Sequence, residues 1–317
     1  RVTRLPGTHS PAGKKTPLTV KTITYKTVGP LDLQADVYGA SAPGEALKPA
    51  VVWIHGGALI MGSRSGIAPD QLDRYVDAGF TVVSIDYRLA PETKLPAIVE
   101  DIEDAFSWLR ATGTEAFSID ATRIGVVGHS AGGYLTLLTG HRVHPAPKAL
   151  VAFYGYGDIA GDWYSEPDPF YNTFDRLTEA DAHTSIGITE LVDGSADPRR
   201  RDYYLWCRQN GLWPHKVGGH DPVTERNWFT PYSPAENVST LGREYPPTLL
   251  LHGNADTDVP YAQSVHMAAR LAEAGIEHSF ITIPDGPHGF DHNPETAETP
   301  GVAGAHDSVI EFLSTHV

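Results

Sequence analysis

The chain has 317 residues, of which 41% are hydrophobic and 20% charged, so it carries enough apolar surface for one large core. Its net charge of -15 would repel a phosphate polyanion, which argues against nucleic acid as a partner. The single cysteine, Cys207, excludes a disulfide within the chain and a cysteine-based metal site. No apolar run of about 18 residues predicts a membrane span.

Proline and glycine recur through residues 1–18, which predicts an extended, flexible N-terminal arm. The sparse use of cysteine fits a reducing compartment, so we expect a cytoplasmic protein. Secretion stays open because the chain begins at Arg1, which leaves room for a removed leader. The oligomeric state is also open, with a homodimer as one option.

Two strand-like runs, 20–27 and 31–38, follow the arm and are joined by a Gly-Pro turn. Beyond them, continuous apolar runs that predict buried strands alternate with segments of helical periodicity. The predicted strands are 50–54, 80–85, 123–128, 149–154, 248–252 and 279–283. The predicted helices are 70–78, 98–109, 131–140, 261–274 and 303–315. This alternation predicts a mostly parallel sheet with helices on both faces and functional residues at the carboxyl ends of its strands.

Residues 155–245 interrupt the alternation, because they are rich in Gly, Pro and Asp and contain no clear buried strand. Half of all aromatic residues fall between 153 and 232. We therefore expect an α/β domain of residues 19–154 and 246–317, into which 155–245 is inserted as a lid or cap over the strand ends. Most of these aromatic side chains should form the core of the lid, and a few should face a ligand.

A Gly-x-Ser-x-Gly motif centred on Ser130 follows one predicted strand and precedes a helix. A sharp turn between the two would hold the serine in strained backbone angles, and Gly128, Gly132 and Gly133 would avoid side-chain clashes there. The serine hydroxyl would then stand at the helix N-terminus, beside backbone N–H groups that can receive negative charge. This context predicts a nucleophilic serine.

Two successive glycines, Gly56 and Gly57, follow the predicted strand 50–54. Their N–H groups, together with that of Ala131, are candidates for an oxyanion hole, since glycine lets the main chain approach a ligand closely. The alternative is an ordinary glycine turn. We expect the neighbouring His55 to fix this loop by hydrogen bonding and not to act as a catalyst.

A serine hydroxyl is a weak nucleophile at neutral pH, so a histidine base and an orienting carboxylate must accompany it. Asp256 comes just after the predicted strand 248–252, with Asp258 as its rival. His288 lies in a glycine-rich loop after the last predicted strand, with His292 as its rival. The order Ser, Asp, His along the chain is the one found in α/β hydrolases.

The chain resembles the hormone-sensitive-lipase-like group of α/β-hydrolase carboxylesterases. Five segments carry the resemblance: 55–58 (HGGA), 86–92 (DYRLAPE), 128–133 (GHSAGG), 252–260 and 288–290 (HGF). The resemblance implies an α/β-hydrolase fold with an eight-stranded sheet, no cofactor, no metal, and hydrolysis of small-molecule esters of short to medium chain length. It also implies a structural role for the segment 86–92.

On this resemblance, Ser130 is the nucleophile, Asp256 and His288 are its partners, and the amides of Gly56, Gly57 and Ala131 form the oxyanion hole. The chain departs from the group in three ways. Ala58 stands where a third glycine is common, and the N-terminal arm is short for the group's helical cap. His129 replaces an acidic residue, a form that also occurs in related feruloyl-esterase-like and formamidase-like hydrolases.

The favoured hypothesis is therefore a serine carboxylesterase, with the aromatic lid indicating a hydrophobic or aromatic ester. One alternative is amide or peptide hydrolysis on the same fold, since both reactions pass through an acyl-enzyme. A second alternative is a non-catalytic binding protein on a hydrolase scaffold.

Overall fold

The computed structural model describes residues 18–238, 245–292 and 301–317. Within these ranges eight strands occur: β1 Val20–Val28, β2 Leu31–Tyr38, β3 Lys48–Ile54, β4 Thr81–Ile85, β5 Ile119–His129, β6 Ala149–Phe153, β7 Thr248–Gly253 and β8 His278–Ile283. They form one sheet in the order β1-β2-β4-β3-β5-β6-β7-β8. The β1–β2 and β2–β4 pairs are antiparallel and the others are parallel, which confirms the mostly parallel eight-stranded sheet.

The central strands are buried from end to end because helices cover both faces of the sheet. Every residue of β4 and β6 is buried, and so is every residue of β7, whereas β1 at the edge has no buried residue. Parallel strands covered on both faces read as continuous apolar runs, which is the pattern that made them predictable. Their carboxyl ends meet at one rim of the sheet.

Five longer helices flank the sheet: α1 Pro69–Asp77, α2 Leu95–Phe117, α3 Ala131–Arg142, α10 Ala262–Glu273 and α11 Val302–His316. Each corresponds to a predicted helix, although α2 is about twice the predicted length. Its second half runs on to Phe117, and a left-handed residue at Ser118 ends it. The helix α3 is buried along almost its whole length, so it lies in the protein core.

The inserted segment, which we define as residues 155–245, is described up to residue 238 and contains no strand over that range. Its helices have four to eleven residues: α4 Asp162–Ser165, α5 Glu179–Ala182, α6 Arg200–Asn210, α7 Trp213–Gly218, α8 Arg226–Phe229 and α9 Pro234–Asn237. The remaining residues 239–244, and almost all of the predicted arm 1–18, lie outside the described residues.

Aromatic side chains of the inserted segment pack against the scaffold beneath it, as well as against each other. Tyr156 stacks on Tyr134 of α3 with ring centroids 5.1 Å apart. Trp213 is fully buried and donates its indole N–H to the carbonyl of Ala58 at 2.9 Å. The free Cys207, on α6, is also buried. These aromatics therefore belong to the main core and not to a separate small one.

Across the described residues, none of the helices has both the length and the apolar character needed to cross a bilayer.

Candidate active site

Ser130 occupies the turn between β5 and α3 in a backbone conformation with positive φ. Its φ is 56° and its ψ is -120°, a region that costs a non-glycine residue about 1–3 kcal/mol. The amide of Ser130 donates to the carbonyl of Phe153 at 2.9 Å, which ties the turn to the end of β6. The serine thus projects at the N-terminus of α3, as the motif predicted.

Glycines around Ser130 are required by close approach of the backbone. A Cβ atom on Gly132 would lie 2.0 Å from the carbonyl oxygen of Ile54, and one on Gly128 would lie 2.2 Å from that of Gly132. A Cβ atom on Gly133 would lie 2.9 Å from the carbonyl oxygen of Phe153. Real Cβ atoms do not approach so closely, so glycine here lets α3 begin directly against the ends of β3 and β6.

The loop after β3 reaches the nucleophile turn. A Cβ atom on Gly56 would meet the carbonyl oxygen of His129 at 2.6 Å and the Cβ of Ser130 at 3.3 Å, so these two backbones touch. Gly57 has φ +106°, which only glycine adopts easily, and both glycines line the cavity that contains Ser130. Ala131 is buried and does not itself line this cavity. It is the first residue of α3, so its backbone N–H has no acceptor within the helix.

Asp256 follows β7 and accepts hydrogen bonds at both carboxylate oxygens. Its Oδ1 accepts from the backbone amides of Asp258 at 2.8 Å and Val259 at 2.9 Å. Its Oδ2 lies 2.7 Å from Nδ1 of His288 and 3.1 Å from Nε2 of His252. Burial acts to raise the pKa of Asp256, but the hydrogen bonds from the two histidines outweigh it and hold this pKa well below its usual range.

His288 is oriented by Asp256, because a carboxylate can only accept and Nδ1 must therefore carry the proton. That tautomer leaves Nε2 as the basic nitrogen, on a side chain that is 23% exposed and lines the cavity. Burial acts to lower the pKa of His288, whereas the charge of Asp258 and the hydrogen bond to Asp256 raise it. The net result is a pKa above the ordinary histidine value.

The two rival residues have other partners. Oδ2 of Asp258 lies 3.5 Å from Nε2 of His288, on the opposite side of the ring from Asp256. His292 also lines the cavity, but its Nε2 lies 3.4 Å from Oδ2 of Asp291. His292 therefore pairs with Asp291 and not with Asp256. Nδ1 of His288 thus donates its hydrogen bond to Asp256, in the arrangement expected of an orienting carboxylate.

Sequence reasoning gave no role to His252, which is fully buried beside Asp256. Its Nε2 faces two acceptors, Asp256 and the carbonyl of Val259 at 3.0 Å, so Nε2 carries the proton. Its Nδ1 then accepts from the hydroxyl of Ser264 at 2.7 Å. The position directly after a buried strand, four residues before Asp256, is the signal that could have suggested this supporting role.

Asp291 was also missed, and it joins the histidine loop to the nucleophile turn. Its carboxylate accepts from Tyr154 at 2.6 Å and Gln71 at 2.5 Å, and it lies 2.9 Å from Nε2 of His129. The Tyr154 ring packs against His288 with centroids 4.6 Å apart. Ligand atoms of His129, Asp291 and His292 lie within 4.8 Å of one another, close enough for a metal ion. Because Asp291 already receives two hydrogen bonds, we interpret this group as a polar network.

The loop residue His55 has the contacts expected of a structural histidine. Its Nδ1 lies 2.8 Å from the carbonyl of Gly56, and its ring stacks on Tyr87 with centroids 4.2 Å apart. Burial lowers the pKa of His55 to about 4, so it is neutral near pH 7. The segment 86–92 likewise makes buried ion pairs, including Glu92 with Arg200 at 2.9 Å. These contacts agree with the structural role implied for that segment.

Ser130, His288, Gly56 and Gly57 line one cavity of about 370 Å³. Apolar and aromatic side chains form much of its wall: Trp53, Ala58, Met61, Tyr154 and Tyr204. A larger depression of about 560 Å³, near His141 and Arg142, lies away from these residues. The smaller cavity is the candidate active site because Ser130, His288 and the glycine loop converge there.

Comparison with known proteins agrees with this architecture. A family model described as BD-FAE matches residues 35–271. An alpha/beta hydrolase superfamily protein from Enterococcus faecalis superimposes with a TM-score of 0.72 and 24% identity, over 94% of this chain and 99% of that one. Carboxyl esterase 2 from the fungus Tuber melanosporum superimposes with a TM-score of 0.67 and 21% identity, over 96% and 89%. These likenesses establish the α/β-hydrolase fold.

A curated relative is much longer than this chain. Non-reducing polyketide synthase ausA from Aspergillus calidoustus is 29% identical over an alignment of 355 residues. The alignment covers 95% of this chain but 14% of the synthase. The similarity therefore concerns one region of that protein.

Proposed function

The chain belongs to the BD-FAE family of α/β-hydrolase-like domains, and on that premise we propose that it is a serine carboxylesterase. The observation that carries the proposal is the Nδ1–Oδ2 distance of 2.7 Å between His288 and Asp256, because His288 lines the same cavity as Ser130. Serine in a strained strand-to-helix turn, beside a histidine oriented by a carboxylate, is the arrangement that acyl transfer requires.

In the proposed mechanism, Nε2 of His288 accepts the hydroxyl proton of Ser130 as its oxygen attacks the ester carbonyl. Asp256 holds the imidazole in the Nδ1–H tautomer and stabilises the imidazolium that forms. The negative charge on the tetrahedral oxygen is bound by the amides of Gly56, Gly57 and Ala131. The imidazolium then protonates the departing alcohol, and water hydrolyses the acyl-enzyme through the same groups.

We propose esters of short to medium chain length, or aromatic esters, as the substrates. The apolar and aromatic wall of the cavity supports this choice, and its volume is at the small end of the range for ligand pockets. We further propose that the inserted segment 155–245 acts as a cap, because Tyr204 from this segment is part of the cavity wall. The esterase among the similar structures supports the same reaction class.

Replacing the nucleophile tests the proposal. We expect Ser130→Ala to reduce kcat on p-nitrophenyl butyrate by about 10⁵- to 10⁶-fold, since losing the nucleophile disables the whole triad. A fluorophosphonate probe should label Ser130 in the wild type, with the mass shift on its peptide. Ser65→Ala removes an exposed serine nearby and should preserve both turnover and labelling. A Ser130→Ala protein that kept a tenth of wild-type turnover would contradict the proposal.

Matched ester and anilide substrates test the alternative of amide hydrolysis. We expect the butyrate ester of p-nitrophenol to be cleaved far faster than the corresponding anilide. A clear anilide preference would replace the esterase assignment, and a folded protein with neither activity nor labelling would favour a binding protein.

A further inference from the structure

Asp258 presents one carboxylate oxygen to the base while the inserted segment binds the other. Its Oδ1 accepts from Tyr171 at 2.8 Å, from Tyr204 at 2.5 Å and from Nη1 of Arg208 at 2.9 Å. Its Oδ2 lies 3.5 Å from Nε2 of His288, and no hydrogen bond to Oδ2 occurs among the residues that the structure describes. Asp258 itself lines the cavity and is 21% exposed. This leaves Oδ2 as a free acceptor at the reacting centre.

The position of this carboxylate is fixed by a buried arginine. The side chain of Arg208 is 1% exposed and bridges Asp258 and Asp168. Its guanidinium also lies over the rings of Tyr171 at 4.7 Å and Tyr164 at 4.9 Å. One guanidinium thus faces two carboxylates, so the cluster keeps a net negative charge and holds Asp258 in one place.

Once His288 is in its neutral, proton-accepting form, the charge of Asp258 is not balanced by a lysine or arginine in the described part of the cavity wall. The two other histidines with shifted pKa values are neutral at pH 7, because burial lowers the pKa of His55 and of His292 to about 4. The cavity is therefore anionic on the side of Asp258, within a chain whose net charge is -15.

We propose that Asp258 selects substrates by the charge of the alcohol portion of the ester, favouring a cationic or hydroxyl-bearing alcohol and rejecting a carboxylate. This inference rests on the proposed function. The departing oxygen must come within about 3 Å of Nε2 of His288 to be protonated. Since Oδ2 of Asp258 is 3.5 Å from the same nitrogen, a substituent two or three bonds beyond the departing oxygen comes close to this carboxylate.

Four butyrate esters with the same acyl group test the inference: the choline ester, its neutral dimethylbutyl isostere, the hydroxyethyl ester and the carboxyethyl ester. The kcat/KM of each ester is measured by pH-stat for wild type, Asp258→Asn and Asp168→Asn. The assay is run at low ionic strength and at about pH 7.5, where carboxylates are ionised. Asp168→Asn removes a second carboxylate from Arg208 but leaves the cavity wall unchanged. It therefore controls for disturbance of the arginine cluster.

In the wild type we expect kcat/KM for the choline ester to exceed that for the carboxyethyl ester by roughly tenfold or more. This is the effect expected when the charge of Asp258 and that of the substituent are about 6 Å apart in a partly solvated site. Asp258→Asn should reduce two ratios of kcat/KM several-fold: that of the choline ester to its neutral isostere, and that of the choline ester to the carboxyethyl ester. Asp168→Asn should keep the wild-type ratios. Added salt should weaken the preference in the wild type.

The possible failures are distinguishable. If the wild type hydrolyses none of the four esters, the proposed function fails. If it hydrolyses the neutral isostere but prefers the carboxylate, or shows no charge preference, the inference is overturned without any variant. Equal ratios in wild type and a folded Asp258→Asn protein would also overturn it.

Discussion

The rim formed by the ends of β3, β5 and β7 and the inserted segment are held in place in different ways. At the rim, backbone contacts set the positions: glycines allow approaches that no side chain would permit, as at Gly132. In the inserted segment, helices of four to eleven residues are anchored by long polar side chains such as Arg200 and Arg208. Changes at the rim should therefore alter turnover, whereas changes in the inserted segment should alter stability or selectivity.

After the loss of Ser130 itself, the largest effect should follow from neutralising the proposed orienting carboxylate. Asp256→Asn preserves the shape but favours the wrong tautomer of His288, so we expect kcat on p-nitrophenyl butyrate to fall by about 10⁴-fold. Asp285→Asn makes the same change at an exposed position in the loop of His288 and should leave kcat unchanged. Similar losses in the two variants would mean that the loop as a whole, and not the carboxylate, governs turnover.

A smaller loss of turnover should follow from crowding the glycine loop. In Gly56→Ala the new Cβ would lie 2.6 Å from the carbonyl oxygen of His129, so the loop must move away from Ser130. We expect kcat to fall by about 10²- to 10³-fold, the typical effect of losing one oxyanion donor. Gly304→Ala, in open space on α11, should preserve kcat. A Gly56→Ala enzyme with wild-type turnover would show that this amide does not bind the oxyanion.

In the inserted segment, the expected effect is on folding. Arg200 pairs with Glu92, and both side chains are at least 98% buried, so Arg200→Ala leaves a buried carboxylate without its partner. We expect the free energy of unfolding in urea to fall by about 3–5 kcal/mol. The adjacent Arg199→Ala removes an exposed pair with Asp197 and should not change stability measurably. Equal stabilities of the two variants would refute this view of how the segment is anchored.

The smallest effect concerns pH. A raised pKa of His288 means that the base becomes active only as pH rises above the ordinary histidine range. Asp258→Asn removes a negative charge that favours the imidazolium, so its pKa should fall and the acid limb of kcat/KM should move to lower pH. The pH profile on a neutral ester measures this shift. An acid limb that stays in place would show that the charge of Asp258 is not felt by the base.

The fold and the positions of the main candidate residues were predictable because their signals are local. Buried parallel strands read as apolar runs, and the motif around Ser130 needs only neighbouring glycines to be read. The order Ser, Asp, His along the chain, and positions directly after predicted strands, then indicated Asp256 and His288. In the structure, Oδ2 of Asp256 and Nδ1 of His288 are 2.7 Å apart.

The rest depends on contacts between distant residues that carry no local pattern. Asp258 and Arg208 are fifty positions apart, and Gln71 and Asp291 are 220 apart. Neither pair has a periodicity or a spacing by which it could be found in one sequence. The roles of His252 and Asp291 also depend on which side chains a fold places behind a site, and the strand pattern does not contain that information.

The buried thiol of Cys207 has a practical consequence. Burial raises its pKa to about 12, so almost no thiolate forms at neutral pH, and access to reagents is blocked as well. The native protein should therefore remain unmodified by maleimides. A cysteine engineered at an exposed point of the inserted segment, such as Ile188→Cys, would then take up a single fluorophore. Its emission would test whether that segment moves when an ester enters or leaves.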